Sequence, residues 1–269
     1  SVIDEDSFLP SLGVNWFISD DHQLRLALSQ TVARPDFKEA ANATFYDNEF
    51  NFRVRGNPFL EISDIINADL RWEWYLSEVD SLSVALFYKD MDKPIERVVQ
   101  AASGTAGNSR TFQNSESAEL YGLEVDGRFE FALGEGYDRT VYVSFNAAFI
   151  ESEVTAQNQE DRALQGQPEY TANLILGYDD IGAGHQLTVL LNQNGKSIAD
   201  VGVSGQPDVF LESRLDLNVV YRFNISDALT LKAKLENLLD DEVEYTQGGQ
   251  IFQVYNRGPS VQIGLDWQF

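Results

Sequence analysis

The sequence predicts an all-β protein: a transmembrane antiparallel up-and-down β-barrel, of which this chain supplies about eleven strands. Three observations predict it. Apolar and polar residues alternate along most of the chain, the connections are alternately short and long, and the apolar faces end in aromatic residues. Membrane-spanning barrels have short periplasmic turns and longer extracellular loops, and a strand of about 9 to 11 tilted residues crosses the bilayer.

The alternation is clearest at the end of the chain, where Val261, Ile263 and Leu265 alternate with Gln262, Gly264 and Asp266. Because successive side chains of a strand point to opposite faces, each such segment has one apolar and one polar face. No convincing helical stretch lies between these segments. The predicted strands are 9–18, 22–34, 65–77, 81–93, 118–132, 139–151, 169–179, 185–194, 209–224, 229–240 and 257–269.

The connections alternate strictly in length. The first, third, fifth, seventh and ninth are short and polar, as in Ser19-Asp20-Asp21, whereas the others are long. Each hairpin therefore turns tightly at one end of the sheet, which we expect to be periplasmic, and has a long, extracellular connection at the other. The long connections are 35–64, 94–117, 152–168, 195–208 and 241–256.

Alternation alone also describes a soluble barrel or sandwich, so a soluble β-rich binding module stays an alternative. Two features favour the membrane. The polar faces carry charges of both signs at mid-strand, as a lumen allows, and the apolar faces end in aromatic residues, as interfacial girdles require. The girdle candidates are Trp16, Trp74, Tyr88, Tyr178, Tyr221 and Trp267.

The odd strand number is a further argument. Bacterial single-chain outer-membrane barrels have an even number of strands. An isolated eleven-stranded sheet has two open edges, whose unpaired backbone groups hydrocarbon does not tolerate. We therefore expect this chain to be the C-terminal part of a larger barrel.

Composition argues against several functions. The 43 acidic and 19 basic residues give a net charge of -24, which disfavours nucleic acid as a partner. The chain has no Cys and no phosphate-binding loop, and His22 and His185 are expected to be solvated turn residues. We therefore expect no enzyme, no cofactor and no metal site. The acidic groups Asp240-Asp241-Glu242 and Glu160-Asp161 could hold Ca²⁺, but solvated charge is the preferred interpretation.

Several segments together resemble the C-terminal barrel region of TonB-dependent outer-membrane receptors. They are SQTVARPDF (29–37), GNPFL (56–60), DLRWEWY (69–75), LFYKD (86–90), YGLE (121–124), ENLLDD, YTQGG (245–249) and the terminal Phe269. The resemblance spans essentially the whole chain, and the order and spacing of the segments carry it.

The resemblance implies half of a 22-stranded barrel in a Gram-negative outer membrane, with residues 1–269 as its C-terminal portion and the N-terminal plug and first strands absent. It implies import of a scarce nutrient, an iron–siderophore complex or an oligosaccharide, with energy supplied through TonB. The implied partners are the missing plug and barrel half, the TonB complex, lipid and lipopolysaccharide. A non-TonB outer-membrane channel or porin stays an alternative.

Three sets of residues are predicted to be functional. Aromatic and arginine side chains in the long connections suit sugar rings, catechol-like chelators or anions. These ligand-binding candidates are Tyr46, Phe50, Phe52, Arg53, Arg55, Arg97, Arg110, Tyr245, Tyr255 and Arg257. Charged residues on the polar faces are candidates for contact with a plug: Arg25, Arg71, Lys89, Glu124, Asp126, Arg128, Lys232, Lys234 and Asp266. The family resemblance makes Leu265, Trp267 and Phe269 candidates for the barrel-assembly signal.

Overall fold

The structure, a computed structural model, describes residues 6–47, 52–101, 108–134, 138–156 and 161–268. These residues form two β-sheets and one helical turn. No helix among them is long and apolar enough to span a membrane. The elements are β1 (Ser11–Phe17), β2 (His22–Ala33), α1 (Phe37–Ala40), β3 (Thr44–Asp47), β4 (Phe52–Arg55), β5 (Ser63–Tyr75), β6 (Ser81–Asp92), β7 (Ile95–Ala101), β8 (Asn108–Asn114), β9 (Ser117–Ala132), β10 (Arg139–Thr155), β11 (Tyr170–Asp180), β12 (His185–Asn194), β13 (Ser197–Gly202), β14 (Val209–Leu211), β15 (Arg214–Ser226), β16 (Leu229–Glu236), β17 (Val243–Gln247), β18 (Gln250–Tyr255) and β19 (Ser260–Trp267).

The larger sheet, here called the barrel sheet, has the strand order β1-β2-β5-β6-β9-β10-β11-β12-β15-β16-β19. All its pairings are antiparallel, and each joins two strands that are successive within this sheet. The eleven predicted strands are therefore confirmed, with shifted ends. The predicted strand 229–240 ends at Glu236, because Asn237 and Asp240 have φ values of 52° and 54° and form a turn.

Strand register places the charges on one face of the barrel sheet. Arg71 on β5 lies opposite Arg25 on β2, while the adjacent Leu70 lies opposite Leu26 and Leu86. This is the alternation expected when one face meets an apolar medium and the other meets polar groups. The first strand and the last strand are exposed along their whole lengths, and each is an edge of the sheet.

Gly122, within the YGLE segment, marks a close approach inside the barrel sheet. A Cβ atom there would lie 2.4 Å from the carbonyl oxygen of Phe149 and 2.5 Å from the ring of Phe87. The absence of a side chain lets Phe87 lie across the strand, on the charged side of the sheet.

The smaller sheet, here called the loop sheet, has the order β18-β17-β14-β13-β7-β8-β4-β3. Seven of its eight strands, and the helical turn α1, lie in the long connections and were not predicted. The eighth, β14, is the start of the predicted strand 209–224, which the structure divides between the two sheets. Two of its pairings are parallel, β13 with β7 and β4 with β8, and join strands from different connections. The long connections are therefore folded against one another.

The buried apolar residues of the described chain cluster in and beside the loop sheet. Val98, Ile198 and Val201 form one cluster and Val99 with Val209 another. A third cluster lies where β6, β9 and β10 approach the loop sheet and contains Met91, Ala118, Leu120 and Val154. The connections thus have a hydrophobic core of their own.

Candidate ligand-binding site

A cleft lies where the loop sheet meets the charged face of the barrel sheet. A cavity of about 420 Å³ is lined by Tyr245, Tyr255, Arg257 and Arg214, among others. A second cavity of about 260 Å³ shares Arg214, Val243 and Arg257 with the first. The two cavities, which we call the cleft, thus meet at two arginines.

Strand pairing brings these residues together. Arg214 begins β15 opposite Asn194, with the same parity as the charged residues of that strand. Tyr245 on β17 lies opposite Leu211 on β14, and Tyr255 on β18 lies opposite Val243. The cleft therefore joins the tip of the barrel wall to the last hairpin of the loop sheet.

The two arginines lie where the two cavities of the cleft meet. Arg214 is half-buried and Arg257 is exposed. Among the described residues, neither guanidinium forms an ion pair or a side-chain hydrogen bond. The second cavity is also lined by Asp216, Glu236 and Asp241, so its wall carries carboxylates as well as the two guanidinium groups. Guanidinium forks beside phenol rings suit an anionic ligand with aromatic or planar groups.

Glu212 forms part of the cleft wall. It accepts hydrogen bonds from the Lys196 ammonium at 2.7 Å and from the Thr246 hydroxyl at 2.5 Å. Burial raises the pKa of Glu212, but these hydrogen bonds outweigh it and hold the pKa below its ordinary value of 4.5. The ionised carboxylate therefore links β17 to the start of β13.

The other predicted ligand-binding residues lie outside the cleft. Tyr46, Arg53 and Arg55 are exposed on the β3–β4 hairpin, where Tyr46 lies opposite Arg53. Phe50 lies outside the described residues, and for Phe52 only the backbone is described. Their role in ligand binding stays a prediction.

Arg97 and Arg110 lie inside the loop sheet. Arg110 is fully buried, and its guanidinium forms ion pairs with the buried Asp200 and, at 3.2 Å, with Asp47. Arg97 pairs with the same Asp200 and donates to the Ala199 carbonyl at 3.0 Å. Burial lowers the pKa of Arg110 and raises that of Asp200. In this arrangement Arg110 is enclosed by carboxylates, so its predicted ligand contact has no support from its placement.

A second buried ion pair lies on the neighbouring side of β7. Arg162 donates to both carboxylate oxygens of Glu96, at 2.8 and 2.6 Å, and the Ser115 hydroxyl donates to Glu96 at 2.5 Å. The Gln165 side chain accepts from the Arg97 amide and donates to the Ala199 carbonyl. These contacts hold the 161–168 segment against the loop sheet.

The nine predicted plug-facing residues share the charged face of the barrel sheet. Arg71 donates to Asp126 at 2.8 Å, and both Arg71 and Arg25 pair with Glu73 at 3.0 Å. The remaining contacts are Lys89 with Asn67 (2.7 Å), Glu124 with Asn146 (2.7 Å), Arg128 with Glu130 (3.3 Å) and with the Tyr142 ring (4.4 Å), Lys232 with Asp266, and Lys234 with Glu236 (2.7 Å). Contact with a plug stays a prediction.

The structure does not test the role predicted for the end of the chain. Leu265 and Trp267 are 64% and 73% exposed on β19, and Phe269 lies outside the described residues. The barrel-assembly signal stays a prediction.

The expectation of two solvated turn histidines is wrong. His22 stacks on Trp72 and Trp74, with ring centroids 5.6 Å apart in both pairs. His185 stacks on Phe223 at 4.4 Å. Each histidine begins a strand and has its ring on the apolar face, where it packs among the aromatic residues at the end of that face.

Sequence reasoning did not select four charged residues that line the cleft or form the ion pairs described above: Arg214, Glu212, Asp200 and Glu73. Arg214 and Glu73 have the parity of the charged face, a signal that could have identified them. Glu212 also has this parity within the predicted strand 209–224, whereas Asp200 lies in the connection 195–208, where alternation gives no signal. Within the described parts of the chain, no group of three or more His, Asp or Glu residues is placed to hold a metal ion.

Comparison with known proteins identifies the family. The family model described as TonB dependent receptor-like, beta-barrel matches residues 2–238. The iron-regulated outer membrane virulence protein of Vibrio cholerae serotype O1 is 26% identical over 223 residues, which are 80% of this chain and 32% of that protein. The chain thus spans about a third of the length of this relative.

Solved structures share the fold. The ferric enterobactin receptor PfeA from Pseudomonas aeruginosa superimposes with a TM-score of 0.65 and 17% identity, over 97% of this chain and 40% of that one. The siderophore receptor PirA from Acinetobacter baumannii gives 0.66 and 17%, over 97% and 41%. The copper transporter OprC gives 0.67 and 15%, over 96% and 39%.

Proposed function

Because this chain belongs to the TonB-dependent receptor β-barrel family of the Gram-negative outer membrane, we propose that it is the C-terminal barrel portion of a siderophore receptor. The whole receptor binds an anionic iron–siderophore complex at the cleft and imports it with energy supplied through TonB. Binding and gated passage, without covalent chemistry, constitute its function, so it is not an enzyme.

The cleft carries this proposal. Arg214 and Arg257 present two guanidinium groups without counterions among the described residues, and Tyr245 and Tyr255 lie beside them. An anionic complex gains charge-assisted hydrogen bonds from the arginines and stacking surface from the phenol rings. The relatives agree, since an iron-regulated protein and two siderophore receptors are among them.

The open edges of the barrel sheet support the proposed partners. Unpaired backbone groups at β1 and β19 cost several kcal/mol each in hydrocarbon, roughly, so the sheet needs further strands between its two edges. In the proposed receptor the missing barrel half closes these edges. The charged face then surrounds the N-terminal plug, which reaches the TonB complex.

Copper and oligosaccharide are the competing cargoes. The fold of the copper transporter OprC is shared, but soft copper ligands are scarce here: the chain has no Cys and one Met, and that methionine is buried in a cluster below the loop sheet. A neutral oligosaccharide would stack on the tyrosines but would form no ion pair with the two arginines, which have no counterion among the described residues. A channel independent of TonB is distinguished by its energy requirement.

The test uses the full-length receptor containing this chain, in cells without other siderophore receptors, with ferric enterobactin as the probe. We expect the double variant R214A/R257A to lower the affinity by about 10-fold to 100-fold, as for the loss of two charge-assisted contacts. The control R139A removes an arginine at the opposite end of the barrel sheet and leaves affinity unchanged. An uncoupler should abolish uptake and preserve binding.

Three results would contradict the proposal. Equal binding by the wild type and R214A/R257A would move the site away from the cleft. Preference for a neutral malto-oligosaccharide over ferric enterobactin would show that the transported ligand is an oligosaccharide. Uptake that persists with the uncoupler would indicate a passive channel.

A further inference from the structure

The charged face of the barrel sheet is interrupted by a part without charge. On β10, β11 and β12 this part consists of the even-numbered residues of 140–148, the odd-numbered residues of 171–177 and the even-numbered residues of 186–194. The structure describes all of them, and none is Asp, Glu, Lys or Arg. The next residue of this face on β11 is Asp179, beside the short turn that follows the strand. We call these uncharged residues the neutral sector.

The strands on both sides of the neutral sector carry charges on the same face. Between Asp126 of β9 and Asp216 of β15, each of the three intervening strands places an asparagine in register: Asn146, Asn173 and Asn192. The strands β9 and β15 are four spacings apart, roughly 19 Å along the wall at about 4.8 Å per spacing. None of the predicted plug-facing residues lies in the neutral sector.

The neutral sector begins at the cleft. Asn194, its last residue on β12, lines the first cavity of the cleft and lies opposite Arg214. From this point the sector continues along three adjacent strands to the short turns at their other ends. It therefore connects the cleft with the end of the barrel sheet that we expect to be periplasmic.

The large side chains of the neutral sector lie along the wall. Tyr142 is opposite Gly177, where a Cβ atom would lie 2.0 Å from the tyrosine ring, so the ring covers the glycine. The Asn173 amide donates to the Asn146 side chain at 3.3 Å, which in turn donates to Glu124 at 2.7 Å. The sector thus presents amide, hydroxyl and ring groups that are held close to the sheet.

We propose that the neutral sector is the part of the barrel wall along which the anionic ligand moves from the cleft towards the periplasm, an inference that rests on the proposed function. A ligand in transit must bind well enough to enter a passage and weakly enough to leave it. Arginines along the wall would hold an anionic complex and carboxylates would repel it, since Coulomb interactions are strong where water is limited. Neutral amide and hydroxyl groups offer a succession of weaker hydrogen bonds.

The first test changes the charge of the neutral sector in the full-length receptor and measures binding and uptake of ferric enterobactin separately. N173D/N192D adds two carboxylates with little change of shape. We expect it to lower the uptake rate at least about 10-fold and to keep the Kd within about twofold, because the ligand meets these charges only after leaving the cleft. N173S/N192S removes the same amides without adding charge and should keep uptake.

A control for position makes the same Asn-to-Asp change outside the neutral sector. Asn67 lies on β5, and its side-chain oxygen accepts a hydrogen bond from Lys89 at 2.7 Å. N67D adds a carboxylate to the charged face beside this ammonium, and uptake should be unchanged.

The second test narrows the passage without adding charge. Ala85 on β6 and Ala148 on β10 both lie opposite Glu124, on its two sides, and only Ala148 belongs to the neutral sector. A148W should lower the uptake rate, whereas A85W should not. Retained binding of ferric enterobactin at the cleft shows that each variant is folded.

Four outcomes would contradict the inference. Normal uptake by N173D/N192D and A148W would place the route elsewhere, while uptake by the wild type would still support the proposed function. Loss of uptake in N173S/N192S would show that charge is not the cause. Equal losses in A148W and A85W would indicate a plug that contacts both parts of the wall alike. Absence of ferric enterobactin binding by the wild type would contradict the proposed function itself, and with it this inference.

Discussion

Ion pairs occur in both sheets, but their environments differ. In the loop sheet, the side chains of Arg110 and Asp200 are both 0% exposed. In the barrel sheet, Lys232 and Asp266 are 49% and 54% exposed. The apolar residues follow the same division: Val99, Val201 and Val209 in and beside the loop sheet are fully buried, whereas β19 exposes its entire length.

This difference reflects the two solvents. The barrel sheet presents its apolar face to lipid and its charged face to a lumen, so it needs no core of its own. The loop sheet lies outside the membrane, where its backbone and apolar groups must be buried against each other. Its stability therefore depends on a few fully buried contacts, and that of the barrel sheet on many repeated strand pairings.

The largest effect should follow from D200A. The substitution leaves Arg110 as a buried charge without its main partner, which costs about 3–5 kcal/mol. We expect amide hydrogen exchange in β7, β8 and β13 to become faster, because these strands then unfold locally more often. The amides of β9 and β10 should keep their protection from exchange. Hydrogen exchange followed by mass spectrometry measures both. D266A is the matched control, because loss of an exposed pair costs about 0–1 kcal/mol. Equal effects of the two variants would remove the proposed difference between the sheets.

An intermediate effect is expected from G122A, which adds a methyl group at a crowded position of the barrel sheet. The new methyl group would meet the Phe149 carbonyl oxygen and the Phe87 ring, and such overpacking costs about 1–3 kcal/mol. The urea midpoint of the receptor in detergent micelles should fall. G264A serves as control, since a Cβ atom there has no heavy atom within 4 Å. Similar midpoints for G122A and G264A would show that Phe87 moves aside freely.

The smallest effect concerns Glu212 and pH. Its pKa is lowered in the folded protein, so its contribution is present above the ordinary value of 4.5 and is lost as the pH falls through the lowered pKa. Loss of its hydrogen bonds costs about 0.5–1.5 kcal/mol. Acidification should therefore release β17 from the start of β13 in the wild type. E212Q should release it at neutral pH and show no further response, and a normal acid response in E212Q would assign the effect to another group.

The cleft could be predicted only in part. Tyr245, Tyr255 and Arg257 were identified because aromatic and arginine residues flank the last long connection, and the structure brings these three together. Arg97 and Arg110 satisfied the same criterion but lie among carboxylates inside the loop sheet. Residue type in a connection therefore does not tell a ligand contact from a buried ion pair, because the partner that decides it is distant in sequence.

The sequence by itself determined the eleven strands of the barrel sheet, their order and their charged face. It could do so because each strand pairs with its neighbour along the chain and has a different medium on each face, so alternation records both. Only the tertiary structure decided the loop sheet and the cleft. Val201 pairs with Val98 and Arg53 with Ser109 in parallel, and Asp200 lies 90 positions from Arg110. Such pairings join distant connections, and burial there depends on contacts that no local period encodes.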